Sequence, residues 1–182
     1  SADSFADLTK IVENNQVAFG NQYTWSSYNP TTRKVIYTQK ADKLTIMDGS
    51  SQIIFTINAN DQVVSYEQIY AGSVQVLGKE RELITAQKAV EILYLAGRIN
   101  SKAIVQSVKL SYYQSLVLKD FSIYSPAWYI EIRQADGQLI ARRVDAIHGT
   151  VLANETLETT NTQTQRTTTS NTTTTTQSVQ QQ

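Results

Sequence analysis

The sequence predicts an α+β protein with antiparallel β-sheets, each packed by a helix. Segments with a helical repeat of apolar residues occur twice, at residues 3–18 and 83–97. Each is followed by short segments in which apolar and polar residues alternate, as they do in half-buried strands. Turn-forming pairs such as Asp136-Gly137 separate these segments, which is typical of an antiparallel meander.

The repeated order of helix and strands divides the chain into two similar α+β subdomains, residues 1–78 and residues 79–152. A single continuous sheet would fit the same order of elements. Residues 153–182 are dominated by Thr, Gln, Asn and Ser. They predict a disordered tail, because they bury too little apolar surface to offset the entropy of ordering. This tail is either a solvated spacer or an inert extension.

The first subdomain opens with a predicted helix at residues 3–18. Ser4 is its predicted N-cap, and Asn14-Asn15 is its predicted end. Residues 21–33 are polar and contain Pro30, which favours a loop, although the aromatic residues there alternate as those of a strand would.

A meander is predicted to complete the first subdomain. Its strands are expected at residues 34–38, 43–47, 52–57 and 62–70. The four-residue connection 58–61 suits a β-hairpin. The last strand is predicted to continue through Val74 and Val76, with a bulge or bend at Ala71-Gly72.

The second subdomain opens with the more regular of the two predicted helices. Thr85 is its predicted N-cap, and Gly97 suits a left-handed C-terminal cap. The residues expected to line its apolar face are Ala86, Ala89, Val90, Leu93 and Tyr94.

Strands are predicted to follow this helix at residues 107–114, 127–133, 138–147 and 150–152. Alternation is visible in the second of them. Trp128, Ile130 and Ile132 are expected to share one face, with Glu131 and Arg133 on the other.

The composition narrows the possible functions. Sixteen Lys and Arg residues balance sixteen Asp and Glu residues, so no net field attracts nucleic acid or an anionic membrane. The absence of cysteine excludes disulfides, thiolate metal sites and cysteine nucleophiles. No apolar run reaches the ~18 residues that a membrane-spanning helix needs.

The only histidine, His148, follows Asp145 closely. The pair is either a base with an orienting carboxylate or part of a tight turn that needs Gly149, and we favour the turn. Alternation predicts that Asp145 points outward. No motif supplies a nucleophile, a metal-ligand set or a phosphate-binding loop. We therefore predict no catalytic, cofactor-binding or metal-binding residue, and a protein that is not an enzyme.

Tyrosine is abundant, with ten residues in the chain. Exposed tyrosines suit protein interfaces, because they provide a large contact area with few rotatable bonds. The candidate interface residues are Tyr112, Tyr113 and Tyr124. The alternative interpretation is that they are half-buried residues of the sheet.

Several motifs occur in an order and at a spacing that resemble the YycI (WalI) family over residues 50–152. They are Ser65-Tyr66-Glu67-Gln68, the helix from Leu83 to Tyr94, Leu110-Ser111-Tyr112, Pro126-Ala127-Trp128 and Val144-Asp145-Ala146-Ile147-His148-Gly149. Ser111 and Asp145 depart from the Gly and Asn that are usual in the family.

The resemblance implies a non-enzymatic regulator from a low-GC Gram-positive bacterium. Such a protein acts with a YycH partner on the essential sensor histidine kinase YycG (WalK), which controls cell-wall metabolism with YycF (WalR). It implies one N-terminal transmembrane helix and an extracytoplasmic domain. We also expect no cofactor, and a homo- or heterodimer. The chain starts at Ser1 without an initiator Met, so we expect the anchor to be missing. The second subdomain, with its helix, strand, hairpin and closing motif from Val144 to Leu152, also resembles the PepSY domain, which implies a peptidase-modulating or ligand-binding envelope module instead.

Overall fold

A computed structural model describes residues 2–75, 77–78, 80–153 and 177–178. They form two compact units: residues 2–75 with residues 177–178, and residues 77–153. Each unit contains one α-helix and one antiparallel sheet, so the predicted α+β class is confirmed. Apart from Ala153 and residues 177–178, the predicted disordered tail lies outside the described residues.

The helix of the first unit is shorter than predicted. Helix α1 spans Ala6–Glu13 after a 3-10 turn at Ala2–Phe5. Phe5, rather than Ser4, occupies the N-cap position, and its side chain makes no capping hydrogen bond. The predicted end is confirmed, since Asn14 is the C-cap and Asn15 adopts a left-handed φ of 57°.

The sheet of the first unit has the strand order β1-β2-β4-β5-β9, with β3 paired to β2. Its strands are β1 Tyr23–Asn29, β2 Lys34–Ala41, β3 Leu44–Thr45, β4 Gln52–Ile57, β5 Val63–Ile69 and β9 Gln177–Ser178. Strand β1 replaces the predicted loop. The alternation of its aromatic residues is that of a strand, and pairing with β2 satisfies its backbone N–H and C=O groups. Strand β5 ends at Ile69 and does not continue to Val74.

The core of the first unit lies between α1 and this sheet. Its buried residues are Val12, Val17, Tyr23, Val35, Tyr37, Ile53, Phe55 and Ile57. A polar contact joins the two layers, since the Thr9 and Tyr37 hydroxyls lie 2.9 Å apart. The hairpin predicted at residues 58–61 is present, and the Asn58 N–H donates to the Gln62 carbonyl at 2.9 Å.

In the second unit, helix α2 spans Ala86–Leu95. Thr85 caps it as predicted, accepting a hydrogen bond from the Lys88 N–H at 3.1 Å. Gly97 follows the helix with a left-handed φ of 68°, also as predicted. Ala89 and Leu93 are buried, whereas the prediction was wrong for Tyr94, which is exposed.

The sheet of the second unit has the order β6-β7-β8 and is antiparallel throughout. Strands β6 (Ile104–Val117) and β7 (Ser122–Arg133) are longer than predicted, and β8 is Leu139–Asp145. The predicted last strand is reduced to a single bridge between Val144 and Val151.

One face of this sheet packs against α2 and forms the core of the unit. The buried residues of this core are Ala89, Leu93, Ile130, Ile132 and Val144, with Trp128 packed against them. The predicted shared face of Trp128, Ile130 and Ile132 is therefore confirmed.

Candidate functional site

The only histidine of the sequence pairs with Asp145 in a tight turn at the end of β8, residues 145–149, called the closing turn below. The Asp145 Oδ1 atom accepts hydrogen bonds from the backbone N–H groups of Ile147 at 2.9 Å and His148 at 2.6 Å. The Gly149 N–H donates to the Asp145 carbonyl at 2.9 Å. Asp145 thus organises the turn that follows it, as Asp side chains commonly do.

Asp145 is buried, with only 4% of its surface exposed, so the prediction that it points outward was wrong. Alternation places it on the face of the sheet that turns away from α2, beside Ala127. That face is also buried at its centre, since Ser111 and Ala127 are almost inaccessible. Alternation assigns a face correctly but does not tell which faces are buried.

Tyr113 supplies the remaining hydrogen bond to this carboxylate. Its hydroxyl donates to Asp145 Oδ2 at 2.7 Å, from two strands away. Burial, this hydrogen bond and the negative charge raise the pKa of Tyr113 to about 12. Burial alone would raise the pKa of Asp145, but the bonds from His148, Tyr113 and Ile147, with the His148 ring, hold it below its ordinary value.

The His148 ring is held at one edge only. Its Nδ1 lies 3.1 Å from Asp145 Oδ1, and 70% of the side chain is exposed. A carboxylate at Nδ1 is the orientation that a general base needs, yet catalysis also needs a nucleophile beside the other nitrogen. Within the described residues, no hydroxyl is hydrogen-bonded to the ring. This geometry favours the turn interpretation.

The closing turn is also hydrogen-bonded to the segment that leads into α2. The Ile84 N–H donates to the Ala146 carbonyl at 2.8 Å, and the Trp128 Nε1–H donates to the Ile84 carbonyl at 2.9 Å. Gly149 has a left-handed φ of 69°, and a Cβ at this position would lie 3.1 Å from Ile92 Cδ1 on the helix. The residues of the family-like motifs therefore stabilise the fold by connecting the closing turn, β7 and the start of α2. The sequence alone did not reveal this role.

The structure does not bring the three predicted interface tyrosines together as one exposed patch. Tyr112, Tyr113 and Tyr124 are all half-buried residues of β6 and β7. Tyr113 is engaged with Asp145, whereas Tyr112 and Tyr124 lie opposite Pro126 and Gln114 in the ladder. Their role in an interface stays a prediction.

Sequence reasoning missed Arg142, on the face of the sheet that packs against α2. Its Nε is buried with no hydrogen-bond partner among the described residues. Burial and the nearby Arg98 lower its pKa. Its only signal in the sequence is a charge in an otherwise apolar alternation from Ile140 to Val144.

The described residues contain neither a metal-binding cluster nor a membrane-spanning helix. No group of three or more His, Asp or Glu side chains is placed to hold a metal ion there. Neither α-helix described is long and apolar enough to cross a membrane.

Comparison with known proteins places the chain in a family. No curated protein matches it. A family described as YycI protein matches residues 1–147, which include both helices and all but the last strand. The resemblance seen in the motifs is therefore confirmed and extends through the first unit. The chain belongs to the YycI family of membrane-associated regulatory proteins, which are accessory proteins of two-component signalling.

Proposed function

We propose that this protein is a non-enzymatic, extracytoplasmic regulator of the essential sensor histidine kinase YycG (WalK), acting with a YycH-like partner. The observation that carries the proposal is the family match over residues 1–147, which spans both folded units. In this proposal an N-terminal transmembrane helix anchors the protein, and contacts outside the membrane set how the membrane helices meet the kinase.

The geometry of the closing turn supports a role without catalysis. The carboxylate that could orient His148 is already used to hold two backbone N–H groups and the Tyr113 hydroxyl. A buried acceptor used in this way stabilises the fold. The histidine itself lies on the surface of a turn.

Reconstitution of the full-length protein tests this function. We expect it to co-purify with the YycH-like partner and the kinase, and to change the rate of kinase autophosphorylation in proteoliposomes that contain all three. The direction of that change distinguishes an inhibitor from an activator. An unchanged rate together with no co-purification would refute the proposal. Recovery of a secreted peptidase instead would favour the PepSY interpretation.

A matched pair of variants locates the contact. Tyr112→Ala tests the predicted interface, and Tyr94→Ala is the control, because Tyr94 is an exposed tyrosine of the same unit on α2. We expect Tyr112→Ala to weaken the complex more than Tyr94→Ala. Circular dichroism of both variants shows whether the fold is intact.

A further inference from the structure

Strand β6 is an edge strand of unusual length. It spans Ile104–Val117, fourteen residues, and pairs with β7 along its whole length. No other strand of the described residues pairs with it on its second side. Such an edge presents backbone N–H and C=O groups that can hydrogen-bond another strand.

The usual protection of an edge strand is weak here. Natural proteins protect edges with charges, prolines or a short length. Strand β6 contains no proline, and Lys109 is its only charged residue. Its remaining protection is two bulges, where the register with β7 shifts between Val105 and Ser107 and between Gln114 and Leu116.

These two bulges are placed symmetrically in β6. The extra residues are Gln106 and Ser115, which lie equally far from the middle of the strand, between Leu110 and Ser111. The regular ladder between the bulges runs from residue 107 to residue 114. When such a strand pairs antiparallel with its own copy, regular backbone meets regular backbone and the bulges fall beside each other at both ends.

We propose that β6 pairs antiparallel with β6 of a second copy of this chain, joining the two sheets in a two-fold symmetric dimer. The axis must pass through a residue that faces its own copy, since any other register would oppose side chains of different faces. Within the regular ladder, that residue is Leu110 or Ser111. The proposal is independent of the kinase and of the proposed function.

The exposed apolar residues of β6 are complementary under this symmetry. Ile104 is 59% exposed at the start of the strand, and Leu116 and Val117 are 47% and 52% exposed at its end. Antiparallel pairing brings the start of one strand beside the end of the other, so Ile104 of one copy and Leu116 of the other, which share a face of the sheet, cover each other, while Val117 lies on the other face. Lys109 then faces Ser111 or Tyr113 of the second copy, and no like charges are opposed.

Sedimentation velocity over a range of concentrations is the first test. We expect a dimer, and we expect the Ile104→Lys/Leu116→Lys variant to raise its dissociation constant about tenfold or more, because two-fold symmetry counts each change twice. The control is Leu139→Lys. Leu139 is 61% exposed. It pairs with Arg133 of β7, which in turn pairs with Ile104, so Leu139 lies level with Ile104 but on β8, at the opposite edge of the sheet.

Spin labels give the second test, since the chain has no cysteine of its own. With β6 against β6, the backbones at Lys109→Cys lie within about 15 Å of each other. Those at Leu139→Cys are at least five strand spacings apart, about 24 Å. Double electron–electron resonance should therefore show the shorter distance for position 109.

Three results would overturn the proposal. The first is that the protein is a monomer at every concentration. This holds even if the Ile104→Lys/Leu116→Lys variant binds a YycH-like partner more weakly. The second is a dimer that the β6 variant leaves intact while Leu139→Lys dissociates it. The third is a shorter label distance at position 139 than at position 109.

Discussion

The Tyr113 hydroxyl donates a 2.7 Å hydrogen bond to the buried carboxylate of Asp145, which links the edge strand β6 to the closing turn after β8. The two residues are 32 positions apart in the chain. The same carboxylate holds the backbone of Ile147 and His148. The Asp145 side chain thus organises the closing turn, and the Tyr113 hydroxyl is the third donor to its carboxylate.

Removal of the tyrosine donor should destabilise the second unit. For Tyr113→Phe we expect a loss of about 1.5–3 kcal/mol in the free energy of unfolding, the usual range for a hydrogen bond to a charged group. Urea denaturation measures it. Tyr112→Phe is the matched control, since the adjacent side chain points to the other face of the sheet. Equal losses in the two variants would contradict the assignment.

Alkaline titration should single out the same residue. Because the pKa of Tyr113 is raised to about 12, its phenol should remain neutral after an ordinary tyrosine, with a pKa near 10, has ionised. Absorbance at tyrosinate wavelengths follows this titration. The titration curve of the wild type should contain a component at high pH that the curve of Tyr113→Phe lacks. A difference centred near an ordinary tyrosine pKa would show that the bond to Asp145 does not persist in solution.

Acid should weaken the closing turn. The pKa of Asp145 is lowered in the folded protein, so its ionised form stabilises the fold above the unfolded pKa, near 3.9. This contribution is lost as the pH falls through the lower, folded value. Asp145→Asn keeps an acceptor for the turn but has no charge, so it should be less stable at neutral pH and lose less stability in acid.

Urea denaturation of both proteins between about pH 6 and pH 2 measures this difference. The comparison cancels the other carboxylates, which titrate alike in the two chains. Parallel stability curves would show that the charge of Asp145 contributes nothing. Asp145→Ala should be the least stable of the three, because it also removes the acceptor for the N–H groups of Ile147 and His148.

A side chain at position 149 should destabilise the second unit. Gly149→Ala would adopt an unfavourable left-handed conformation, costing about 1–2 kcal/mol, and its Cβ would press on Ile92 of α2. Gly137→Ala is the control, because Gly137 has a φ of +85° and nothing within 4 Å of an added Cβ. Thermal unfolding should show the larger loss for Gly149→Ala. A larger loss for Gly137→Ala would mean that the contact with α2 is not close.

The two tryptophans should respond differently to loss of the indole N–H. Trp128→Phe leaves the Ile84 carbonyl without its donor and should cost about 1–2 kcal/mol. Trp25→Phe should be nearly neutral in this respect, because the Trp25 Nε1 is buried with no hydrogen-bond partner among the described residues. Urea denaturation of the two full-length variants, followed by circular dichroism, compares them. A greater hydrogen-bonding loss for Trp25→Phe would contradict this arrangement.

The sequence predicts the second unit better than the first for a physical reason. Helix α2 and β7 have strong apolar periodicity, and Thr85 and Gly97 mark the helix ends. Strand β1, by contrast, alternates aromatic residues with polar ones and follows a polar segment, so its pattern fits a strand or a loop, and its pairing with β2 decides for the strand. Local pattern does not contain that long-range contact.

The candidate site shows the same limit. The turn at His148-Gly149 follows from residue types, whereas the burial of Asp145 and its bond to Tyr113 depend on a register between strands far apart in the chain. Alternation along one strand fixes which residues share a face. It does not say which side chain on the neighbouring strand will face them.

A buried glutamine should be essential to the first unit. Gln39 is almost inaccessible. Its Nε2 donates to the Gly72 carbonyl at 3.0 Å, and its Oε1 accepts from the Ala71 N–H at 3.1 Å. It therefore fastens the segment after β5 to β2.

Gln39→Leu preserves the approximate volume but leaves both backbone groups without this partner, so we expect a loss of about 2–4 kcal/mol in the free energy of unfolding. Gln16→Leu is the control at an exposed glutamine of the same unit. Hydrogen exchange at the Ala71 amide gives a local readout, because that N–H should exchange much faster in Gln39→Leu. Unchanged exchange at Ala71 would show that Gln39 does not hold this segment, whatever the change in global stability.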